Sequence, residues 1–145
     1  MQTHELEQLV RQVVAGVLAQ QKQGDQVLSC NLPALQVTEA DRLDTGNPAD
    51  RVYTHDLFSL KQSPRLGAGL MEMTDSDFPW HLSYDEIDYV ISGRLDIVFR
   101  DHVVSAGPGE VILIPKGSDI RFSCKGHVRF LYVTYPADWQ TAEEA

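Results

Sequence analysis

Cysteine is scarce: only Cys30 and Cys124 occur in 145 residues. Two thiols so far apart cannot form a disulfide framework or a zinc knuckle, and they read as reduced thiols in a reducing compartment. Cys124 lies in an alternating stretch, where a small buried hydrophobe is the simplest reading. Basic residues are also few: 12 Lys and Arg against 21 Asp and Glu leave a net charge of −9. No basic cluster stands against that field, which excludes nucleic acid as a partner. No apolar run approaches the ~20 residues that cross a bilayer, and no basic leader with an apolar core and cleavage site opens the chain. The protein is therefore expected in the cytoplasm, away from membranes. Neither a Gly-x4-Gly-Lys-Ser/Thr phosphate loop nor a kinase glycine-rich loop is present. What remains is 43% apolar and 23% charged, the balance of one globular domain with its own core.

The chain divides into three parts. Leu6, Leu9, Val10, Val13, Val14, Val17 and Leu18 recur at three- and four-residue steps, which predicts an amphipathic helix over residues 1–20. Thr3 is a plausible cap, and Glu5 and Glu7 favour the positive end of the helix dipole. Residues 21–32 begin polar and without periodicity, and read as a linker. Residues 33–145 form the main domain. From Arg51 onward the period is two, in short runs rich in β-branched and aromatic residues. Strands are expected at Val52–Leu60, Leu66–Met73, Ile87–Ile91, Leu95–Arg100, Glu110–Ile114, Ile120–Cys124 and Val128–Tyr135. Many short strands with no helix between them point to an all-β sandwich or closed barrel.

Two spacings sharpen that expectation. Glu86 stands seven residues before Gly93, and Gly109, Pro115 and Gly117 form a Gly-x5-Pro-x-Gly turn. Together they resemble the paired motifs of cupins, jelly-roll β-barrels that hold one metal ion on three histidines and a glutamate. The ligands are largely missing here. Pro79 and His81 occupy the positions of the first two histidines, Ile120 that of the last, and Cys124 replaces the closing asparagine. His81 thus reads as an exposed edge histidine, and no tightly bound transition metal is expected. The barrel is retained while its metal site is altered.

A carboxylate inside a barrel must be hydrogen-bonded, paired or functionally poised to offset its desolvation. Period two places Tyr84, Glu86 and Asp88 on one strand face. Glu72, within Gly67–Met73, is a second charged residue in an otherwise apolar strand, where a solvated face is the simpler explanation and a site the more interesting one.

Leu66–Met73, Tyr84–Gly93, Ile114–Ser118 and Phe130–Trp139, in that order, resemble EutQ, the cupin-like family of bacterial ethanolamine utilization. The resemblance spans roughly Val52 to Trp139. It implies acetate kinase activity, with ATP and magnesium, and association with a bacterial microcompartment. The family's cupin domain also lacks the usual metal triad, and the leading segment here is shorter than in many relatives. On that reading Glu72 and Glu86, with Asp88, hold magnesium against nucleotide phosphates. Lys116 neutralises charge on the transferred phosphoryl group, while Tyr84 and Tyr132 orient the carboxylate or phosphate. The amphipathic helix is similar to encapsulation peptides that dock cargo on shell or core proteins; its alternatives are folding back on the barrel or pairing in a dimer. Edge strands that need covering also argue for a homodimer. Two other functions remain open: a non-catalytic cupin that binds a metabolite or assists assembly, and a metal-dependent enzyme using His81 and Glu86.

Overall fold

The computed structural model describes residues 2–21 and 24–139, with no side chains given for residues 15–21. The side chains of Val17 and Leu18 and the linker residues 22–23 lie outside the described set. Helix α1 spans Thr3–Gln21, as the periodicity predicts. Short 3-10 turns at Leu32–Ala34 and Glu39–Asp41 lead into seven strands: β1 Arg51–Asp56, β2 Gly67–His81, β3 Asp85–Ser92, β4 Leu95–Phe99, β5 His102–Ala106, β6 Val111–Ile114 and β7 Asp119–Tyr135. All pairings are antiparallel. The order β1-β2-β7-β3-β6 forms the main path, and the β4–β5 hairpin attaches to β7 through β4.

Two strands run longer than their local pattern predicts, and a bulge explains both. In β2 the inward residues are Met71 and Met73, and then Ser76, Phe78 and Trp80. The parity changes at Asp75, where the register against β7 shifts and the backbone takes a positive φ of 42°. Across this step β2 advances two residues, Thr74 to Ser76, while β7 advances three, His127 to Cys124, and the irregularity turns every later β2 side chain to the other face. Asp75 Oδ1 accepts the Gly126 N–H at 2.7 Å, which ties the bulge to the bend in β7. The two strands expected at Ile120–Cys124 and Val128–Tyr135 are one continuous strand through Gly126, whose φ is 80°. Strand β1 stops at Asp56, short of the expected Leu60, and β5 has no counterpart among the expected strands.

The inward faces of β2, β3, β4, β6 and β7 build one core around Met73, Phe78, Val90, Leu95, Val128 and Phe130. Each fully buried Leu, Val or Phe contributes about 1.5–3 kcal/mol through removal from water. Gly93 closes the β3–β4 turn with φ of 81°, and a side chain there would run into the His127 carbonyl. That close approach, rather than turn angle alone, explains the glycine of the first motif.

The stretch before β1 is fastened to the outside of the sheet. Arg129 donates from Nη2 to the carbonyls of Leu32 at 2.8 Å and Leu35 at 3.0 Å. By contrast, Leu6, Leu9, Val10, Val13 and Val14 on α1 each stay about half exposed. No helix among the described residues is long and apolar enough to cross a membrane.

Candidate active site

The alternation of β3 carries Glu86 and Asp88 into the barrel. Glu86 lies opposite Thr134 on β7 and Ile114 on β6, and Asp88 lies opposite Tyr132 and Ile112. Glu86 is 6% exposed and Asp88 fully buried. Among the described residues no hydrogen-bond donor reaches either oxygen of Asp88, and the Thr134 hydroxyl is also buried without a partner. Burial pushes the Glu86 carboxyl up to about 7. Asp88 is held well above the ordinary carboxylate range, by burial first and then by the charge of Glu86. Two carboxyls on one dry strand face cannot both ionise cheaply, so the pair retains a proton at neutral pH.

Aromatic rings enclose Glu86. A small cavity of about 20 Å³ is lined by Phe78, Trp80, Tyr84, Phe122, Tyr132 and Trp139, with Glu86 as its charged group and Leu43, Thr54 and Met71 completing the wall. That volume holds about one water. Trp80 Nε1 donates to the Tyr84 hydroxyl at 2.7 Å. The Tyr132 hydroxyl donates to Asp56 Oδ1 at 3.2 Å, and burial, followed by the charge of Asp56, raises the Tyr132 phenol above its usual value. Trp139 closes the mouth: its ring lies 5.9 Å from that of Trp80, 5.8 Å from Tyr84 and 6.4 Å from Tyr132.

Tyr84, Glu86, Asp88 and Tyr132 thus come together as the sequence predicts, and Glu72 and Lys116 do not join them. Glu72 sits on the outer face of β2, because 71 and 73 are its inward positions. Its Oε2 lies 3.3 Å from Arg129 Nη1 and its Oε1 2.9 Å from His127 Nε2. Lys116 is an exposed turn residue whose backbone N–H donates to Asp85 Oδ1 at 2.8 Å. The magnesium site expected on Glu72 with Glu86 is therefore not assembled.

The transition-metal site of the cupin motif does not fit either. The bulge turns Phe78 and Trp80 inward in place of Pro79 and His81, and Ile120 fills the last position. His81 is exposed, with Nδ1 2.6 Å from Asp119 Oδ1. Among the described residues no group of three or more His, Cys, Asp or Glu side chains could hold a metal ion.

Sequence reasoning missed Trp80, Thr134 and Asp56. Thr134 was within reach, since it continues the inward parity of Tyr132. Trp80 was hidden by the bulge, and Asp56 belongs to a strand whose end was misplaced.

The comparisons follow this geometry. Residues 1–141 match the family model described as "Ethanolamine utilisation protein EutQ". A protein of Clostridioides difficile (strain 630) named "Acetate kinase EutQ" is 52% identical over 92% of this chain and 91% of its own length. An "Acetate kinase EutQ" of Salmonella typhimurium is 43% identical over 59% of this chain, which spans only 38% of that longer protein. The solved Clostridium difficile EutQ structure superposes with a TM-score of 0.77 at 61% identity, covering 78% of this chain and 82% of that one. A cupin superfamily protein of Desulfitobacterium hafniense DCB-2, 19% identical with a TM-score of 0.57, supports the fold alone. With its barrel, its altered cupin motifs and a match along nearly its whole length, the chain belongs to the EutQ family of ethanolamine utilisation proteins.

Proposed function

We propose that the chain transfers a phosphoryl group between ATP and acetate, forming acetyl phosphate and ADP in the reversible reaction. The observation that carries this reading is the 52% identity, along nearly both full lengths, with a protein named for that activity. In the forward direction an acetate oxygen attacks the γ-phosphorus, the bond to the β,γ-bridging oxygen breaks, and ADP leaves. Magnesium arrives on the nucleotide phosphates as part of the substrate.

The barrel's contribution is to place the acid. Two ionised carboxylates would repel acetate, but a pair that retains a proton offers it as a hydrogen bond to one acetate oxygen, keeps it, and leaves the other oxygen free to attack. Tyr84 and Tyr132 lie beside Glu86 along the cavity wall and orient the acetate methyl and carboxyl. The nucleotide stays outside the mouth, and because the interior as it stands holds about one water, acetate enters only as the aromatic wall gives way. Acetate binding weakens as pH rises through about 7, where the pair loses its proton.

The test is acetate-dependent ADP formation with magnesium. The parent turns over, Glu86→Gln loses tenfold or more, and Glu72→Gln and Lys116→Ala stay within about twofold, because neither side chain reaches the cavity. A folded parent with no acetate-dependent turnover overturns the proposal. The small, closed interior favours one second reading, a non-catalytic module that binds a small carboxylate. In that case acetate or acetyl phosphate raises the melting temperature without turnover.

For α1, we extend the proposal to docking on a microcompartment shell or cargo protein. Its half-exposed apolar stripe supports this. Removal of residues 1–23 should then abolish co-purification with that partner and leave turnover intact.

A further inference from the structure

The linker and the loop between β1 and β2 enclose a groove on the outside of the barrel. Its volume is about 230 Å³, with Gln26 and Leu28 of the linker and Phe58, Gln62 and Arg65 of the loop among its walls. The loop is held by its own bonds. The Ser59 N–H donates to Gln62 Oε1 at 2.9 Å, the Gln62 N–H returns to Ser59 Oγ at 3.1 Å, and the Ser63 hydroxyl donates to the Leu66 carbonyl. Gly24 lies so close to this loop that a side chain there would come within 2.8 Å of Pro64 Cδ. A loop fixed in this way presents its groove ready formed, which lowers the ordering cost of binding.

The groove leads to the barrel mouth. A second space of about 80 Å³ shares Phe58, Ser63 and Leu66 with it and is lined further by Asp56, Asp138 and Trp139. Together the two spaces reach the ~300 Å³ at which small-molecule sites begin. Trp139 also walls the cavity of Glu86, so one indole separates this path from the acid pair. Charge changes along the path. Residues 57–66 carry Lys61 and Arg65 and no carboxylate, on a protein of net charge −9, whereas two carboxylates stand in the space beside Trp139.

We propose that this path is the nucleotide seat of the phosphoryl transfer, an assignment that rests on the acetate kinase reading above. The base lies against the half-buried Phe58 ring and Leu28, where stacking on an aromatic face favours a planar heterocycle. Gln62, its Oε1 taken by Ser59, offers its amide N–H groups to the base edge. Arg65 holds the phosphates, since a guanidinium pairs two phosphate oxygens at once. Magnesium joins the terminal phosphates to Asp56 and Asp138, the one or two carboxylates that this ion takes alongside phosphate oxygens. Without the ion those carboxylates repel the phosphates, so binding requires it. The transferred group then stands at Trp139, across the indole from the acetate.

Isothermal titration calorimetry of the full chain with ADP and excess magnesium tests the seat, beside acetate-dependent turnover of the same samples. The parent should bind Mg-ADP with a Kd of about 1 mM or tighter and should not bind ADP without magnesium. Arg65 is exposed, so Arg65→Glu should fold as the parent does. It should weaken binding about tenfold or more and raise the KM for ATP to match, with the KM for acetate unchanged. Phe58→Ala should weaken binding about threefold to tenfold. Lys116→Ala, whose side chain lines neither space, should bind within about twofold of the parent. A parent that binds no Mg-ADP overturns the seat. Undiminished binding in folded Arg65→Glu and Phe58→Ala also overturns it, while continued turnover in those variants leaves the acetate kinase reading standing. Binding that Arg65→Glu abolishes, in a parent without acetate-dependent turnover, supports the seat and overturns the kinase reading instead.

Discussion

Between about pH 5 and pH 8 the protein is expected to lose about 3 kcal/mol of stability, and the double variant Glu86→Gln/Asp88→Asn is expected to lose almost none. The Glu86 carboxyl moves from 4.5 in the unfolded chain to about 7 in the barrel, and each unit corresponds to about 1.4 kcal/mol. The sign follows from proton counting. Between those two values the folded state holds a proton that the unfolded state has released, so stability is full below the lower value and falls as pH rises through the upper one. Asp88 shifts in the same direction and adds to the loss. Asp41 and Asp96 have the opposite sign. His55 holds Asp41 low, and Ser105 and Arg94 overcome burial to hold Asp96 low, so their contributions fade only under acid conditions outside this window. For a domain of this size 3 kcal/mol corresponds to roughly 10 °C in melting temperature. Calorimetry of parent and variant at four pH values measures it. A parent slope that survives both substitutions would mean that the pair is not the source.

The same pair shows how much was legible in the sequence. Period two along Tyr84–Asp88 placed both carboxylates on one face without any tertiary information, and Gly93, Gly109 and Gly117 marked turns whose positive φ the backbone confirms. What could not be read was a change of parity. The irregularity at Asp75, opposite the Gly126 bend of β7, turns Trp80 inward and His81 outward, and its local sequence, Thr74-Asp75-Ser76-Asp77, reads as a polar break between strands. Glu72 illustrates the other limit. A charge in an apolar strand looks the same whether it faces a cavity or a partner across the sheet, and only the register opposite Arg129 decides. Lys116 failed for a related reason, because a turn adjacent to a motif need not aim its side chain at the site.

Trp139→Ala is expected to cost about 4 kcal/mol and, more tellingly, to flatten the pH dependence. The indole is 7% exposed and touches the aromatic wall on three sides, so its removal leaves a cavity of the kind that costs 3–5 kcal/mol, roughly, for a large aromatic. It also forms the partition between the interior and an outer pocket of about 80 Å³ that contains Asp56, Asp138 and Ala137. With the partition gone the two spaces join and water reaches Glu86. Hydration removes the leading cause of its raised pKa, so the carboxyl returns toward 4.5 and the loss of stability between pH 5 and pH 8 shrinks by more than half. Loss of packing alone lowers the melting temperature equally at every pH. The two effects therefore separate in one set of melts. Trp139→Phe keeps much of the partition and serves where the alanine variant is too unstable: its slope should remain close to the parent's. An alanine variant with the parent's full slope would show that Trp139 fills space without keeping the acid pair dry.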